Sequence, residues 1–270
     1  MPAARLWFNQ RRKAADPFGF FSYGMTKCGS TLAFQLARVA LIQAGFEQPL
    51  IPFPNRVAAR KINFTGMFDE AHVAVLRETI ADLGHPVVIK THNRPDLPLV
   101  RLVEDGEVRA HAVFRDPRDM ALSLLDSGRE NRARGRPAFT EFETLSDTHG
   151  GIRNQLDSLT AWLQMPGVRR LPYDRVAFET ETAAAEILEH LGIDGEPRKI
   201  VRQVLRREFI QRNKAVRDRH KTEMSAEDQA AFGKLFAPFY RLVADAPDAT
   251  DPLPPNTQLY AAVDTPAASL

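Results

Sequence analysis

The chain has 270 residues, 44% of them hydrophobic, and a formal net charge of +2 with acids and bases interspersed. This is ample apolar material for one large buried core, and the near-neutral balance provides no global field that would demand nucleic acid or an anionic membrane as partner. Its single cysteine, Cys28, excludes an internal disulfide, weighs against a cysteine-built zinc site and suits a reducing cytosol, and no apolar stretch reaches the roughly 20 residues that span a bilayer.

In chain order, the basic stretch 5–13 has the charge of an export-signal start, but cleavage after the next apolar run would remove a strand that begins near Phe18. The run Phe20-Phe21-Ser22-Tyr23-Gly24-Met25-Thr26-Lys27-Cys28-Gly29-Ser30-Thr31 predicts a strand, a tight loop and the start of a helix that continues over 32–42, with Gly45 as its cap. Such a turn aims free N–H groups and the positive end of a helix dipole at phosphate or sulfate. The pattern G-x-x-x-x-G-K-[ST] is nearly met, yet Ser30 stands in the lysine position and the positive charge lies three residues upstream at Lys27.

The proline-rich stretch 49–54 predicts an extended connector. Val73, Leu76, Ile80 and Leu83 fall on one helical face within 69–83, and Gly84 stops that helix. Residues 86–90 and 108–114 predict buried strands, the second followed by a helix over 117–125. Residues 126–137, rich in Arg, Gly and Asn, predict an exposed loop whose Arg129, Arg132, Arg134 and Arg136 form either a solvated basic surface or a gate to an acceptor site. A helix over 152–163, a strand over 168–171 and helices over 181–191, 197–210 and 226–243 complete the pattern. Strands alternating with helices predict a single α/β domain, 1–243, with a mainly parallel sheet covered on both faces. Residues 244–270, dominated by Pro, Asp, Thr and Ala, predict a loosely ordered tail.

Three polar clusters follow predicted strands: Lys27 to Thr31, Lys90-Thr91-His92, and Arg115 with Ser123. In an open α/β sheet the carboxyl ends of the strands line the ligand crevice, where these clusters can converge. Alone, each has a structural reading beside the functional one: Lys27 as an exposed lysine, the lesser reading given the flanking Gly24, Gly29 and Ser30, His92 as a hydrogen-bonded structural histidine and Arg115 as the partner of Asp116 or Asp119. Cys28 at a helix N-terminus suggests a thiol phosphatase, but that signature needs arginine six positions on, where Phe34 stands. His72, His111, His149 and His190 have no metal-ligand spacing.

The order and spacing of these clusters resemble the PAPS-dependent sulfotransferases, the soluble family that uses 3′-phosphoadenosine 5′-phosphosulfate (PAPS). Lys27-Cys28-Gly29-Ser30-Thr31 is similar to the family's 5′-phosphosulfate loop, and His111 to Ser123, with Arg115-Asp116-Pro117-Arg118-Asp119, to its 3′-phosphate segment. Lys90-Thr91-His92-Asn93-Arg94-Pro95-Asp96-Leu97-Pro98 is similar to the catalytic-histidine segment, and Leu171-Pro172-Tyr173-Asp174-Arg175-Val176 resembles the segment near the adenine.

The resemblance implies a P-loop-like sulfotransferase fold and a cytoplasmic enzyme that moves a sulfuryl group from PAPS to a hydroxyl, or to an amine, and releases PAP without a metal. Nucleic acid and a membrane span are not implied as partners, and a homodimer is compatible. In these terms His92 is the general base, Lys27 neutralises the bridging oxygen and Lys90 assists the sulfuryl group. Cys28, Gly29, Ser30 and Thr31 hold the 5′-phosphate, while Arg115 and Ser123 hold the 3′-phosphate.

The chain departs from the family pattern in two places. Leu32 stands where many members carry an adenine-stacking aromatic, which leaves Tyr173 as the adenine contact. The region 211–225 keeps positive charge but lacks an Arg-Lys-Gly element, so Arg212, Lys214, Arg219, His220 and Lys221 are the candidates to close over the 3′-phosphate. The acceptor pocket is expected from 51–68, from 129–142 and from the C-terminal region; Phe53, Phe64 and Phe68 allow an apolar acceptor surface, although core packing is the commoner fate of such residues, and the arginines allow an anionic or sugar acceptor. Two other readings stay open on the residues alone, a P-loop nucleotide kinase and a non-catalytic nucleotide- or nucleic-acid-binding protein.

Overall fold

β1 (Gly19–Gly24) is buried along its whole length, and its two-residue side-chain period divides it between two layers. Phe20 meets the rings of His111 and His190 at 5.2 and 5.7 Å, whereas Phe21 and Tyr23 meet Trp162 at 6.2 and 5.1 Å. Helices therefore cover both sides of this strand. The computed structural model describes residues 17–54, 62–208 and 215–245; the predicted basic start 5–13, Arg212, Lys214 and the tail beyond 245 lie outside them.

After β1 come α1 (Ser30–Gln43), α2 (Glu70–Leu83), β2 (Val87–Thr91), α3 (Leu97–Glu104), β3 (Val108–Phe114), α4 (Pro117–Ala133) and α5 (Thr148–Leu163). These are followed by β4 (Val168–Pro172), α6 (Tyr173–Phe178), α7 (Thr180–Leu191), α8 (Pro197–Arg207), α9 (His220–Glu223), α10 (Ala226–Leu235) and α11 (Ala237–Asp245). The four strands form one parallel sheet in the order β2-β1-β3-β4. Tyr23 pairs with Thr91, Gly24 with Val113 and Phe114 with Pro172, so all four strands end near one edge. No helix of the described residues is long and apolar enough to cross a membrane.

Local chemistry explains most boundaries. Asp69 caps α2 by accepting from the His72 N–H at 3.1 Å, and Gly84 ends it with φ 66°. Asp116 accepts from the Arg118 N–H at 2.8 Å with Pro117 in the first turn of α4.

Where elements differ from expectation, tertiary contacts are the cause. The expected loop over 126–137 is helical as far as Ala133, because the polar face of α4 holds the following chain. Arg132 donates to the carbonyls of Thr140 and Phe142 at 2.6 and 3.2 Å, and Asn131 to that of Ala138 at 2.6 Å. A Cβ on Gly128 would lie 2.5 Å from the Phe139 carbonyl oxygen. Arg134 pairs with Glu130 of the same helix at 2.6 Å, so of this arginine set Arg132 fastens the loop and Arg134 closes the end of α4. The helix expected over 226–243 breaks at Phe236 and restarts at Ala237, since Pro238 has no N–H to continue the ladder and sits in the first turn of α11. The short helices α3, α6 and α9 carry too few turns to show a period in the sequence. The domain boundary expected after residue 243 falls within α11.

One buried histidine links this core to pH. His111 on β3 is fully buried and shares a 2.7 Å hydrogen bond with Ser22 of β1, and burial pulls its pKa down to about 3. An unfolded chain takes up this proton near pH ~6.5, so between these values the unfolded state binds more protons and stability falls as pH falls. His111→Gln is expected to flatten the pH dependence of the urea unfolding free energy between pH 6.5 and 4 by up to ~1.4 kcal/mol per pH unit. An unchanged slope would show that another group carries it.

Candidate active site

The loop between β1 and α1 is shaped by two residues in the left-handed region, Lys27 at φ 66° and Gly29 at φ 78°. Such alternation gathers consecutive backbone N–H groups into one concavity. Gly29 caps α1 without a side-chain hydrogen bond, which leaves the first N–H groups of a 14-residue helix uncapped by its own cap residue. Glycine is also required for space, because a Cβ at Gly29 would lie 3.2 Å from the Tyr173 ring and one at Gly24 2.5 Å from the Ser30 Cβ. Ser30 and Thr31 open α1 and are buried beneath the loop.

Burial lowers the pKa of Lys27 from its ordinary value; Glu130 and Asp126 oppose this and Arg115 adds to it. Its ammonium lies 5.5 Å from the centre of the Phe139 ring. Cys28 turns inward, its thiol donating to the carbonyls of Met25 and Val113, and burial pushes its pKa up to about 12. Its part in the loop is packing.

β2 delivers the second cluster. The Nδ1 of His92 lies 2.6 Å from the Gly24 carbonyl oxygen, and its Nε2 lies 2.6 Å from Nζ of Lys90. A carbonyl only accepts, so Nδ1 carries the proton and Nε2 presents a lone pair to the lysine. This bond fastens the histidine to the last residue before the anion loop. Phe64 stands beside both groups, 5.9 Å from the His92 ring and 5.6 Å from the Lys90 ammonium. Phe53 and Phe68 pack in the core against His72 and each other, the commoner fate expected of such rings, because 51–53 and 68 lie beneath α2, whereas Phe64 is carried to the sheet edge.

Arg115, at the end of β3, is buried with one amino group 3.3 Å from the Lys27 carbonyl and the other 3.5 Å from Oδ2 of Asp119. Its Nε is buried with no hydrogen-bond partner among the described residues, and its guanidinium stacks 3.9 Å over the Tyr173 ring. Tyr173, the first residue of α6, thus has one face covered by Arg115 and an edge near Gly29. Ser123 lies one turn beyond Asp119 on the buried face of α4.

A cavity of about 210 Å3 opens beside Arg115. Its walls are aromatic and apolar, including Tyr173, Phe239 and Tyr240, with carboxylates from Asp116, Asp119, Asp174 and Asp218. Each carboxylate has a cationic neighbour: Arg118 at 2.6 Å, Arg115 at 3.5 Å, Arg217 at 3.9 Å and Lys221 at 2.6 Å respectively.

The candidates for closing the second anion site have other engagements. Arg219 is almost fully buried, with its guanidinium bound to Glu223 at 2.7 Å and to Asp126 at 2.8 Å. His220 donates its backbone N–H to Oδ1 of Asp119 at 3.0 Å, while Lys221 is exposed and paired with Asp218. The first two support α9 against α4 from behind rather than facing the cavity, because the turn before α9 directs them inward. Sequence reading offered Asp119 only as a structural partner of Arg115; it holds Arg115 through one oxygen and His220 through the other. Its position in Arg115-Asp116-Pro117-Arg118-Asp119, one helical turn from Arg115, was the available signal. Tyr240, donating to Asp116 at 3.0 Å, gave no local signal.

The Lys27–Thr31 loop, His92 with Lys90, and Arg115 with Tyr173 thus lie together at the carboxyl ends of one parallel sheet. The family model described as "Sulfotransferase domain" matches residues 20–235, and the chain belongs to that family; it is a sulfotransferase. No curated protein sequence gives a match. Among solved structures, the mouse sulfotransferase SULT7A1 complexed with PAP is 18% identical, with 84% of this chain and 86% of that chain covered at a TM-score of 0.53, a likeness of fold. A retinol dehydratase in a complex with retinol and PAP is 14% identical, covering 86% of this chain and 82% of its own at a TM-score of 0.49.

The buried thiol has a direct consequence. Cys28 is expected to resist iodoacetamide at pH 8 in the native protein and to react promptly in urea, as followed by mass spectrometry; rapid native alkylation would mean that the loop opens freely.

Proposed function

We propose that this sulfotransferase takes the sulfuryl group from PAPS, passes it to an acceptor hydroxyl or amine, and releases PAP. The observation that supports this reading is the 2.6 Å bond from His92 to the Gly24 carbonyl, which ties the imidazole to the start of the loop while its Nε2 keeps a lone pair. The orphaned Nε of buried Arg115 is the feature that fits a second anionic group. When bound, PAPS supplies a transferable sulfuryl group on a phosphate leaving group, with a separate 3′-phosphate.

Within this reading the N–H groups at the start of α1, with Gly29, Ser30 and Thr31, hold the 5′-phosphate, and Lys27 neutralises charge on the bridging oxygen. Lys90, donating to Nε2 in this structure, keeps His92 neutral. Once Lys90 turns toward the sulfuryl oxygens, Nε2 is released to accept the acceptor's proton. Arg115 presents its fork to the 3′-phosphate, with Ser123 behind it, and Tyr173 borders the adenine.

Lysine, arginine and helix N–H groups supply the positive charge, so the proposal needs no metal. A cytoplasmic enzyme agrees with the single buried cysteine, and the small net charge agrees with a protein that does not bind nucleic acid; a homodimer and a domain ending near residue 243 remain parts of the same proposal. A kinase is disfavoured by Ser30 in the position of its lysine.

Calorimetry is expected to show PAP binding in the presence of EDTA, weakened about 10- to 100-fold by Arg115→Ala, as for loss of a charged hydrogen-bonding group. Equal affinities for AMP and PAP would eliminate the 3′-phosphate site. His92→Ala is expected to keep PAP affinity within a few-fold while single-turnover transfer of labelled sulfate from PAPS falls by about 10² to 10⁴; an unaltered rate would remove His92 from the chemistry.

A further inference from the structure

The donor loop and the His92 segment leave different strands, and one helix touches both. On α5, Gln155 Oε1 accepts from the backbone N–H of Thr26 at 2.9 Å, and its main-chain carbonyl accepts from the Tyr23 hydroxyl at 3.3 Å. Seven residues further on, the indole N–H of Trp162 donates to the carbonyl of Asn93 at 2.8 Å. The Trp162 ring also stacks on Tyr23 at 5.1 Å with an interplanar angle of 18°. Seven residues are about two helical turns, so both side chains project from one face, roughly 10 Å apart along the axis.

We propose that α5 acts as a splint for sulfuryl transfer, with Gln155 and Trp162 as positioning residues that set the 5′-phosphate loop and His92 in mutual register. The inference rests on the donor assignment above. Thr26 immediately precedes Lys27, whose left-handed backbone needs support from its neighbours. Gln155 turns the Thr26 amide toward the helix, which leaves the amides after Lys27 to form the cradle. Asn93 follows His92, and its carbonyl is fixed by an indole that is itself fully buried. Neither residue touches the sulfuryl group; each acts through the main chain of a residue beside one that does.

The test uses the full chain and two readouts besides turnover. In Gln155→Leu, the Thr26 amide is expected to exchange with deuterium about tenfold faster than in the wild type. The ratio of the 3′-AMP to the PAP dissociation constant, which isolates the 5′-phosphate, is expected to shrink about tenfold while 3′-AMP affinity stays within about twofold. Gln155→Glu, which keeps an acceptor oxygen, restores both. Equal weakening of PAP and 3′-AMP, or an unchanged ratio, overturns the role of Gln155. Trp162→Phe keeps a ring on Tyr23 but removes the N–H; it is expected to mix the His92 tautomers seen by 15N NMR, and an undisturbed Nδ1–H tautomer overturns the role of Trp162. A wild-type chain that fails to prefer PAP over 3′-AMP would defeat the donor assignment instead, while the Thr26 exchange contrast reads the splint without any donor.

Discussion

The site depends on the parallel register of four strands that end together. Each strand end releases one part of the apparatus: the anion loop after Gly24, His92 after Thr91, Arg115 after Phe114 and Tyr173 after Pro172. In a parallel sheet these ends lie side by side by construction, whereas an antiparallel sheet would alternate them between two edges. The bond from His92 to the Gly24 carbonyl then joins two adjacent strand ends across a few ångströms. Loss of register between β1 and β2 would separate His92 from the loop after Gly24 even if both local motifs survived.

Charge is arranged on the same scaffold with little left to solvent. Arg115 has its fork divided between the Lys27 carbonyl and Asp119, its face on Tyr173 and its Nε in reserve. Asp119 is anchored in turn by His220, so the short α9 contributes to the aim of the arginine across a gap of 101 residues. The carboxylates around the cavity each have a cationic neighbour, which limits the repulsion that an incoming phosphate would otherwise meet. Lys27 stays partly desolvated, which strengthens its attraction to an anion and lowers the cost of exchanging water for a ligand.

Much of this was legible because it is local. Gly24, Gly29, Ser30 and Thr31 mark the cradle through requirements of space and backbone that act within ten residues, and the β-branched run before Lys90 marks its strand. Asp69 and Gly84 announce the two ends of α2 through caps. The continuation of α4 through 126–133 was illegible because its support is polar and comes from backbone carbonyls of the next loop, which leaves no apolar period. Arg219 and Lys221 look alike in the sequence, yet one is a buried ion-pair node and the other an exposed lysine.

By itself the sequence determined the class of fold, the glycine-framed loop between β1 and α1 and the identities of the basic and titratable groups, since these follow from periodicity, caps and side-chain chemistry along the chain. Tertiary structure alone decided the tautomer of His92, the support of Arg115 by Asp119, the inward turn of Arg219 and the hydrogen bonds of Gln155 to Thr26 and of Trp162 to Asn93. Each of these depends on hydrogen bonds between groups distant in sequence, and their partners are chosen by how strands and helices stack rather than by any local preference.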